Sequence, residues 1–302
     1  MDHELVPRRT TDEIYAANPD ARAAGVLAPD GTARRVPGGY QVTGQWNYAS
    51  GIWHADWAGV GVLVEDEAGQ VVDQGFALVP AADYTVDDVW HVAGMRASGS
   101  NSVIVRDVFV PEHRVLTSAR LLFGDYLADH PDEPLYRSAV FSVLVAVLIG
   151  PQLGLGRAAL DLVTAKAGRK GIAYTAFGKQ SDSVAFQLQV AEAATLIDTA
   201  HLHGYRAADD IDRFAARGEY PDVRTRARIR ADAAVALRSV NTAVNTLVFA
   251  HGAGSFAEVN PLQRIWRDSN VGARHAVMLP QVNLEVYGKA LLGVEEQITF
   301  LI

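Results

Sequence analysis

The chain has 302 residues, enough for two domains with a substantial buried core. Its hydrophobic fraction of 49% and charged fraction of 21% are ordinary for a soluble globular protein, and its net charge of −8 disfavours nucleic acid or an anionic membrane as a partner. The absence of cysteine excludes disulfides, thiolate metal sites, iron–sulfur clusters and cysteine nucleophiles, and it predicts a cytoplasmic location.

The N-terminal stretch is charged and lacks an apolar core, so we expect no secretory signal. The most apolar run, Ala139–Gly150, spans twelve residues and is followed directly by Pro151. A membrane-spanning helix needs about 20 residues. The run therefore predicts a buried helix, and we expect no membrane partner.

Before about residue 135, apolar residues occur in short runs between glycines and prolines. Four runs predict strands, namely GGYQVTG, WAGVGVLVED, QVVDQGFALVP and NSVIVRDVFVP. Strands this close together in the chain predict a small, mostly antiparallel sheet domain, which we assign to residues 28–134.

After residue 135 the apolar period becomes helical. Residues at steps of three and four form one helix face, namely Phe186, Val190, Ala193, Ile197, Ala200 and Gly204. A further helix is predicted from Pro221 to about His251, where Gly252 can end it, with others at about 136–168 and 276–292. The fold class is therefore α+β, a sheet domain followed by an antiparallel four-helix bundle over residues 135–302.

Aromatic and imidazole side chains surround the small pair Ser50–Gly51, namely Trp46, Tyr48, Trp53, His54 and Trp57. They can simply form an exposed aromatic edge of the sheet. They can equally form a platform for a flat ring, on which aromatics stack while Ser50 donates to a ring nitrogen and Gly51 allows close backbone approach. The segment containing Arg96 and Ser98 is likewise either a hairpin loop or the lining of a ligand's polar edge.

Five segments in order, W-x-(aromatic)-x-S-G, H-A-x-W, F-x-L-V-P, G-M-R-x-(S/T)-G-S and D-V-F-V-P, resemble the middle domain of group D flavin monooxygenases. This family includes oxygenase components that hydroxylate 4-hydroxyphenylacetate and related phenols. It shares the acyl-CoA dehydrogenase fold, in which an N-terminal helical domain precedes a β-domain and a C-terminal four-helix bundle. The match begins near Ala28, and residues 1–27 resemble the tail of the helical region, so we expect the chain to lack the rest of that domain.

The resemblance implies the oxygenase component of a two-component flavin-dependent monooxygenase. A separate reductase supplies reduced FMN or FAD, oxygen forms a C4a-hydroperoxide on the flavin, and a small phenolic or other aromatic substrate is hydroxylated. It further implies a homodimer or homotetramer assembled through the bundle. Without the helical domain one side of the flavin pocket would be open to water, which predicts poor protection of the hydroperoxide.

The resemblance also implies which residues contact the flavin. In the sheet domain these are Trp46, Tyr48, Ser50, Gly51, Arg96 and Ser98. Arg169, near the start of the second bundle helix, corresponds to the arginine that meets the flavin phosphate, although Lys166, Arg169 and Lys170 can also simply favour a helix C-terminus. Gln187 lies where the superfamily often has a glutamine, and a solvated helix face explains it as well.

His275, which follows an R-x-x-R-D segment, is the first catalytic candidate. In the family a histidine at this point faces flavin and substrate, where it can take a phenol proton or hold a peroxide oxygen. The alternative is a helix-start histidine without a role. His54 is a second catalytic candidate, and packing alone can explain it.

Two apparent ligand motifs are rejected. Residues 252–257 satisfy G-x-G-x-x-A, but a helical pattern precedes them, so we predict a connection between helices instead of a dinucleotide site. His201 and His203 are two apart on a helix and face different directions, and we expect no metal site.

Two other functions stay open. An acyl-CoA dehydrogenase-type flavoprotein would pass hydride to FAD and needs a glutamate base, but Glu258 and Glu285 do not lie in segments that resemble that base's setting. A truncated paralogue that only oligomerises would bind no reduced flavin at all.

Overall fold

The computed structural model describes residues 6–117, 132–299 and 301–302. The chain divides into two compact units, Met1–Val92 with Arg96–Asp132 and Ala93–Met95 with Glu133–Ile302. The division lies between residues 132 and 133, close to the predicted boundary at 134/135. The short segment Ala93–Met95 belongs to the second unit although it interrupts the first.

In the described part of the first unit, seven strands form one sheet in the order β5-β6-β2-β1-β3-β4-β7. Their bounds are β1 Ala23–Val36, β2 Gly39–Ala49, β3 Trp57–Glu65, β4 Val71–Pro80, β5 Thr85–Asp87, β6 Asn101–Pro111 and β7 Val115–Thr117. Strands β1 and β3 run parallel, and the other neighbouring pairs run antiparallel. The sheet is therefore mixed but mostly antiparallel, as the sequence predicts, with β1–β3 as the parallel pair.

Strand β1 was not predicted because its centre carries a turn-like Pro29–Asp30–Gly31 sequence. In the structure this sequence lies within the strand, at an irregularity where the pairing with β3 shifts register between Val26 and Gly31. The strand consequently begins at Ala23, inside the segment that we expected to be a remnant or linker.

The helix before the sheet, α1 (Arg8–Tyr15), is fixed to the first unit. The buried Thr10 hydroxyl donates to the His113 carbonyl at 2.6 Å, and Glu13 contacts His113 at 2.9 Å and Arg114 at 2.6 Å. Burial alone would raise the pKa of Glu13, but the hydrogen bonds from Arg114 and His113 outweigh it and lower that pKa. Residues 8–15 are therefore packed structure.

The core of the sheet is built around Trp46, which is fully buried. Its indole N–H donates to the Gly61 carbonyl at 2.6 Å, and a Cβ atom on Gly44 would lie 2.7 Å from its ring. The ring has no accessible surface with which to touch a ligand. This burial corrects the prediction that Trp46 contacts a cofactor.

The second unit is helical. Its helices are α2 Val140–Val147, α3 Ile149–Ala167, α4 Val184–Arg217, α5 Val223–His251, α6 Pro261–Gly272 and α7 Pro280–Leu292. The predicted helix at 136–168 is thus divided at Leu148, whereas the predicted apolar face of α4 is confirmed by the burial of Phe186, Ala193 and Ile197 in the core.

Helix α6 was not predicted, because the sequence analysis assigned a connection to residues 252–257 and placed the next helix at about 276–292. The helix begins where the Asn260 side chain accepts a hydrogen bond from the Leu262 backbone N–H at 3.1 Å, with Pro261 in the first turn. It buries Leu262, Ile265 and Ser269.

Two segments, Val140–Ala167 and Val223–His251, are long and apolar enough to cross a membrane on length and composition alone. The core helix of a bundle passes the same test, and α5 is that helix here. Helix α2 is only partly buried, because Val145 faces the core while Val147 is 59% exposed. The run at 139–150, which was predicted to form a buried helix, is therefore buried on one side only.

We predict that Gly44→Ala destabilises the first unit by about 1–3 kcal/mol, because the added methyl group overpacks the site beside Trp46. The measurement is denaturant unfolding followed by tryptophan fluorescence. Gly154→Ala is the control, since a Cβ there meets nothing within 4 Å. Equal stability of the Gly44 variant and the control would contradict the packing described for Trp46.

Candidate functional site

Tyr48 lies near the end of strand β2, just before the turn at Ser50–Gly51, and its side chain projects from the sheet. Tyr48 has a φ of 66°, and its carbonyl accepts from the Ser50 N–H at 2.9 Å. A left-handed backbone costs a residue other than glycine about 1–2 kcal/mol, and such strain is concentrated at functional sites. The ring is 71% exposed, so the strained backbone holds an aromatic surface in solvent.

A chain of serine hydroxyls lies at the same turn. The Ser50 and Ser100 hydroxyl oxygens are 2.8 Å apart, and those of Ser98 and Ser100 are 2.7 Å apart. The Gly51 N–H donates to the Ser98 carbonyl at 2.7 Å, and a Cβ on Gly51 would meet nothing within 4 Å. The structure thus brings the two predicted ligand segments of the sheet domain together, beside open space.

Trp90 completes the aromatic part of this group. Its ring centroid lies 6.0 Å from that of Tyr48, with an interplanar angle of 86°, which is the edge-to-face arrangement that aromatic pairs favour. The sequence analysis did not select Trp90 or Ser100. The sequence offered one signal for each residue. Trp90 begins the segment WHVAGMR, and Ser100 directly follows Gly99.

Arg96 and His54 lie in short turns of the first unit, and both are exposed. Arg96 begins the 3-10 turn Arg96–Ser98, and its Nε donates to the Val92 carbonyl at 2.7 Å. His54 ends the turn Ile52–His54, where its backbone N–H donates to the Gly51 carbonyl at 2.9 Å.

In the second unit, Arg169 follows the end of α3, and it does not open the second bundle helix as predicted. Its side chain is exposed and donates to the Ala165 carbonyl at 3.3 Å. The neighbouring Lys170 is turned inward, because its Nζ donates to the His251 carbonyl at the end of α5. Burial, together with the charge of Lys166, lowers the pKa of Lys170.

Two buried polar atoms near the end of α5 lack a hydrogen-bond partner in the part of the chain that the structure describes. They are Oε1 of Gln180 and Nδ1 of His251, in side chains that are 3% and 5% exposed. Gln180 reaches this point because its Nε2 donates to the Ala250 carbonyl at 3.1 Å. Burial, Lys170 and Lys166 lower the pKa of His251. A buried polar group without a partner costs free energy, so this arrangement fits a bound polar ligand.

The sequence analysis missed Gln180 and His251 and considered Lys170 only as a helix-end cation. Spacing did not reveal them, because the loop 171–183 and the turn after α5 bring distant parts of the chain together. Gln187, which was selected, is exposed and donates to the Ser181 carbonyl at 2.8 Å.

His275 caps the short turn Ala276–Met278. Its Nδ1 accepts from the Val277 N–H at 3.3 Å, so the neutral ring carries its proton on Nε2. Although the ring is exposed, the surrounding protein removes part of its solvation, and this desolvation lowers the pKa of His275. At neutral pH the side chain is therefore a hydrogen-bond donor through Nε2.

The R-x-x-R-D segment holds the short piece of chain that interrupts the first unit. Asp268 Oδ1 accepts from the Met95 N–H at 2.6 Å, and Arg267 donates to the Ala93 carbonyl. Met95 has a φ of 55°, a left-handed conformation that this hydrogen bond stabilises.

Over residues 6–117, 132–299 and 301–302, no group of three or more His, Asp or Glu side chains is arranged to hold a metal ion.

Comparison with known proteins gives consistent relatives. Residues 146–280 match the model of the acyl-CoA dehydrogenase C-terminal domain. The chain is 33% identical to the flavin-dependent monooxygenase oxygenase subunit HsaA of Rhodococcus jostii RHA1, over 96% of this chain and 76% of that protein. It is 27% identical to the oxygenase component of p-hydroxyphenylacetate 3-hydroxylase of Acinetobacter baumannii, over 98% and 70% of the two chains.

A solved structure of XiaF from Streptomyces sp. in complex with FADH2 and glycerol superimposes with a TM-score of 0.94. The two sequences are 42% identical, over 98% of this chain and 74% of XiaF.

We predict that His275 titrates below its ordinary pKa of 6.5 in the folded protein, because desolvation disfavours the charged ring. The neutral ring then predominates at pH 7 and above, and charge appears only as the pH falls through the lowered pKa. Proton NMR of the imidazole resonances measures this value, and His275→Ala assigns the signal by its loss. A pKa at or above 6.5 would contradict the environment described.

Proposed function

The chain belongs to the family of oxygenase components of flavin-dependent monooxygenases, and we propose that it uses reduced flavin and oxygen to hydroxylate a small aromatic substrate, a phenol in the first instance. Within that family assignment, the proposal rests above all on the turn of Tyr48, Ser50 and Gly51. An exposed aromatic ring, a set of hydroxyl groups and open space beside a glycine occur there together.

The residues of this turn suit a flavin ring. The isoalloxazine is flat and aromatic, and one edge carries nitrogen and oxygen acceptors. Tyr48 offers the aromatic surface, and the hydroxyls of Ser50, Ser98 and Ser100 can donate along one connected chain. We assign Gly51 to the close approach of the ring and Arg96 to its polar edge, since a guanidinium offers several N–H donors in one plane.

The second unit offers cations for the phosphate of the flavin. We assign this role to Arg169 and add Lys170, since both follow the end of α3 and Lys170 is partly desolvated. Among the described residues, Gln180 Oε1 and His251 Nδ1 are buried without a partner, and the carboxamide oxygen, as an acceptor, suits a ligand hydroxyl group and not a phosphate oxygen. Gln187 stays a proposed contact near the start of α4.

The flavin, once bound, supplies the oxygen activation, and the protein supplies orientation, dryness and proton control. His275 presents its Nε2–H as a donor to a developing or bound oxygen. Because Nδ1 already accepts a backbone N–H, we favour the hydrogen-bonding role over removal of a phenol proton. His54 stays a second catalytic candidate, in the turn that follows Gly51.

We propose FAD over FMN, supported by the 42% identity to XiaF, whose structure holds FADH2. A separate flavin reductase is proposed from the designation of the relative HsaA as an oxygenase subunit. We further propose a cytoplasmic protein, on the cysteine-free composition.

A homodimer or homotetramer is proposed from exposed apolar side chains on the helices. Val147, Leu188 and Leu202 are 59%, 66% and 72% exposed. A single exposed side chain of this size is ordinary, whereas several along the helices favour association between subunits.

The proposed function is tested by anaerobic titration with reduced FAD and reduced FMN, followed by mixing with oxygen and a panel of phenols. We expect binding of both flavins with tighter binding of FAD, and hydroxylated product detected by mass spectrometry. Tightly bound FAD that an acyl-CoA reduces would instead indicate a dehydrogenase. No binding of either reduced flavin would leave only an oligomerising chain.

We predict that His275→Ala leaves the affinity for reduced flavin nearly unchanged but lowers the yield of hydroxylated product about 100-fold, because the Nε2–H donor is lost. The ratio of product to NADH oxidised, measured with a reductase present, should fall while hydrogen peroxide rises. Arg274→Ala is the matched control, since its side chain donates to Asn270 in the last turn of α6. Full coupling in the His275 variant would remove the role assigned to it.

A further inference from the structure

Asn101 is a buried carboxamide behind the aromatic pair of the first unit. Its side chain is 2% exposed, and its Oδ1 accepts from two successive backbone N–H groups, those of Val89 at 3.0 Å and Trp90 at 2.9 Å. One acceptor atom therefore holds two adjacent peptide units.

These two hydrogen bonds matter because the backbone of Trp90 lies outside the sheet. Strand β5 ends at Asp87, and residues 88–92 are neither helix nor strand. A backbone N–H that no strand pairs needs another acceptor, and Asn101 provides it for Val89 and Trp90. The carboxamide thus takes the place of a neighbouring strand.

The position of Trp90 in turn bears on Tyr48. The two rings meet edge to face at 6.0 Å, while Tyr48 is 71% exposed and strained at φ 66°. Most of the Tyr48 ring is therefore in solvent, and its edge-to-face contact with Trp90 helps to orient it. A shift of the Trp90 backbone would remove one of the contacts that fix the orientation of the Tyr48 ring.

Ser100 and Asn101 are adjacent in the chain, yet they contact different parts of the site. Successive side chains of an extended segment point in opposite directions. Ser100 hydrogen-bonds to Ser50 and Ser98, whereas Asn101 reaches the segment of Trp90. Ser100 therefore supports the serine hydroxyls, and Asn101 supports Trp90.

We propose that Asn101 is a positioning residue for the flavin ring: by holding the backbone of Trp90, it fixes Trp90 against Tyr48 and forms a preorganised aromatic wall of which Trp90 is a part. The inference rests on the proposed function for its ligand. The Asn101–Trp90 geometry itself is independent of any ligand.

The test uses the full chain with four variants, Asn101→Ala, Asn101→Asp, Trp90→Phe and the control Ser102→Ala. Asn101→Asp keeps an acceptor oxygen at the same place. Ser102 is equally buried on the same strand, but its hydroxyl donates to Asn47 Oδ1 at 2.6 Å and does not reach Trp90. Two readouts are taken, 19F NMR of 5-fluorotryptophan in flavin-free protein and anaerobic affinity for reduced FAD.

We expect Asn101→Ala to shift or broaden the Trp90 resonance, assigned by its loss in Trp90→Phe, and to weaken flavin binding about tenfold or more. Asn101→Asp should restore both readouts to near the unsubstituted protein. Ser102→Ala should leave the Trp90 resonance in place, with affinity changed by less than about threefold.

An unchanged Trp90 resonance in Asn101→Ala would overturn the inference. So would a moved resonance with unchanged flavin affinity, since Trp90 would then lie outside the ring site. If Asn101→Ala does not fold, Trp90→Phe provides the test, because it leaves both Asn101 hydrogen bonds in place. An undiminished affinity of Trp90→Phe for reduced FAD would then overturn the inference. Absence of flavin binding in the unsubstituted chain overturns the proposed function and this role together, and the ligand-free NMR readout identifies that case.

Discussion

The pairing of β2 with β6 is the constraint on which the residues proposed to contact the flavin ring depend. Trp46 lies opposite Val103 and Ala49 opposite Asn101, so three steps along β2 are matched by only two along β6. The additional residue is a β-bulge, which redirects the side chains that follow it. Without it, Trp46 and Tyr48 would face the same side of the sheet. With it, Trp46 is in the core and Tyr48 is in solvent.

This bulge explains what could and could not be predicted from the sequence. The strands around it were predictable, because each is an apolar run between turn residues. The separate fates of Trp46 and Tyr48 were not, since a bulge depends on the partner strand and leaves no local pattern. Strand β1 was missed for a related reason, because a Pro-Asp-Gly sequence normally marks a turn and here lies within a strand.

In the second unit, too, some features could be predicted from the sequence and others could not. The periodic face of α4 was predictable from spacing alone, because core packing requires it. Helix α6 was missed since its start depends on one capping side chain, Asn260, within a Gly-rich stretch. The resemblance supplied Arg169 and His275, but only the fold shows that Lys170 turns inward and that His275 Nδ1 is engaged by Val277.

Among the described residues that cost folding free energy, two groups lie at the proposed ligand contacts. Tyr48 keeps a left-handed backbone while exposing its ring, and Gln180 and His251 keep buried polar atoms without described partners. A ligand that stacks on the Tyr48 ring would offset the first cost, and a ligand that supplies hydrogen bonds would remove the second. Since sequences depart from stable local choices mainly at functional sites, these departures are the physical reason for proposing a ligand contact in each unit considered by itself. Asn101 then has a definite task, because a strained and exposed ring is useful for binding only if a neighbour holds it still.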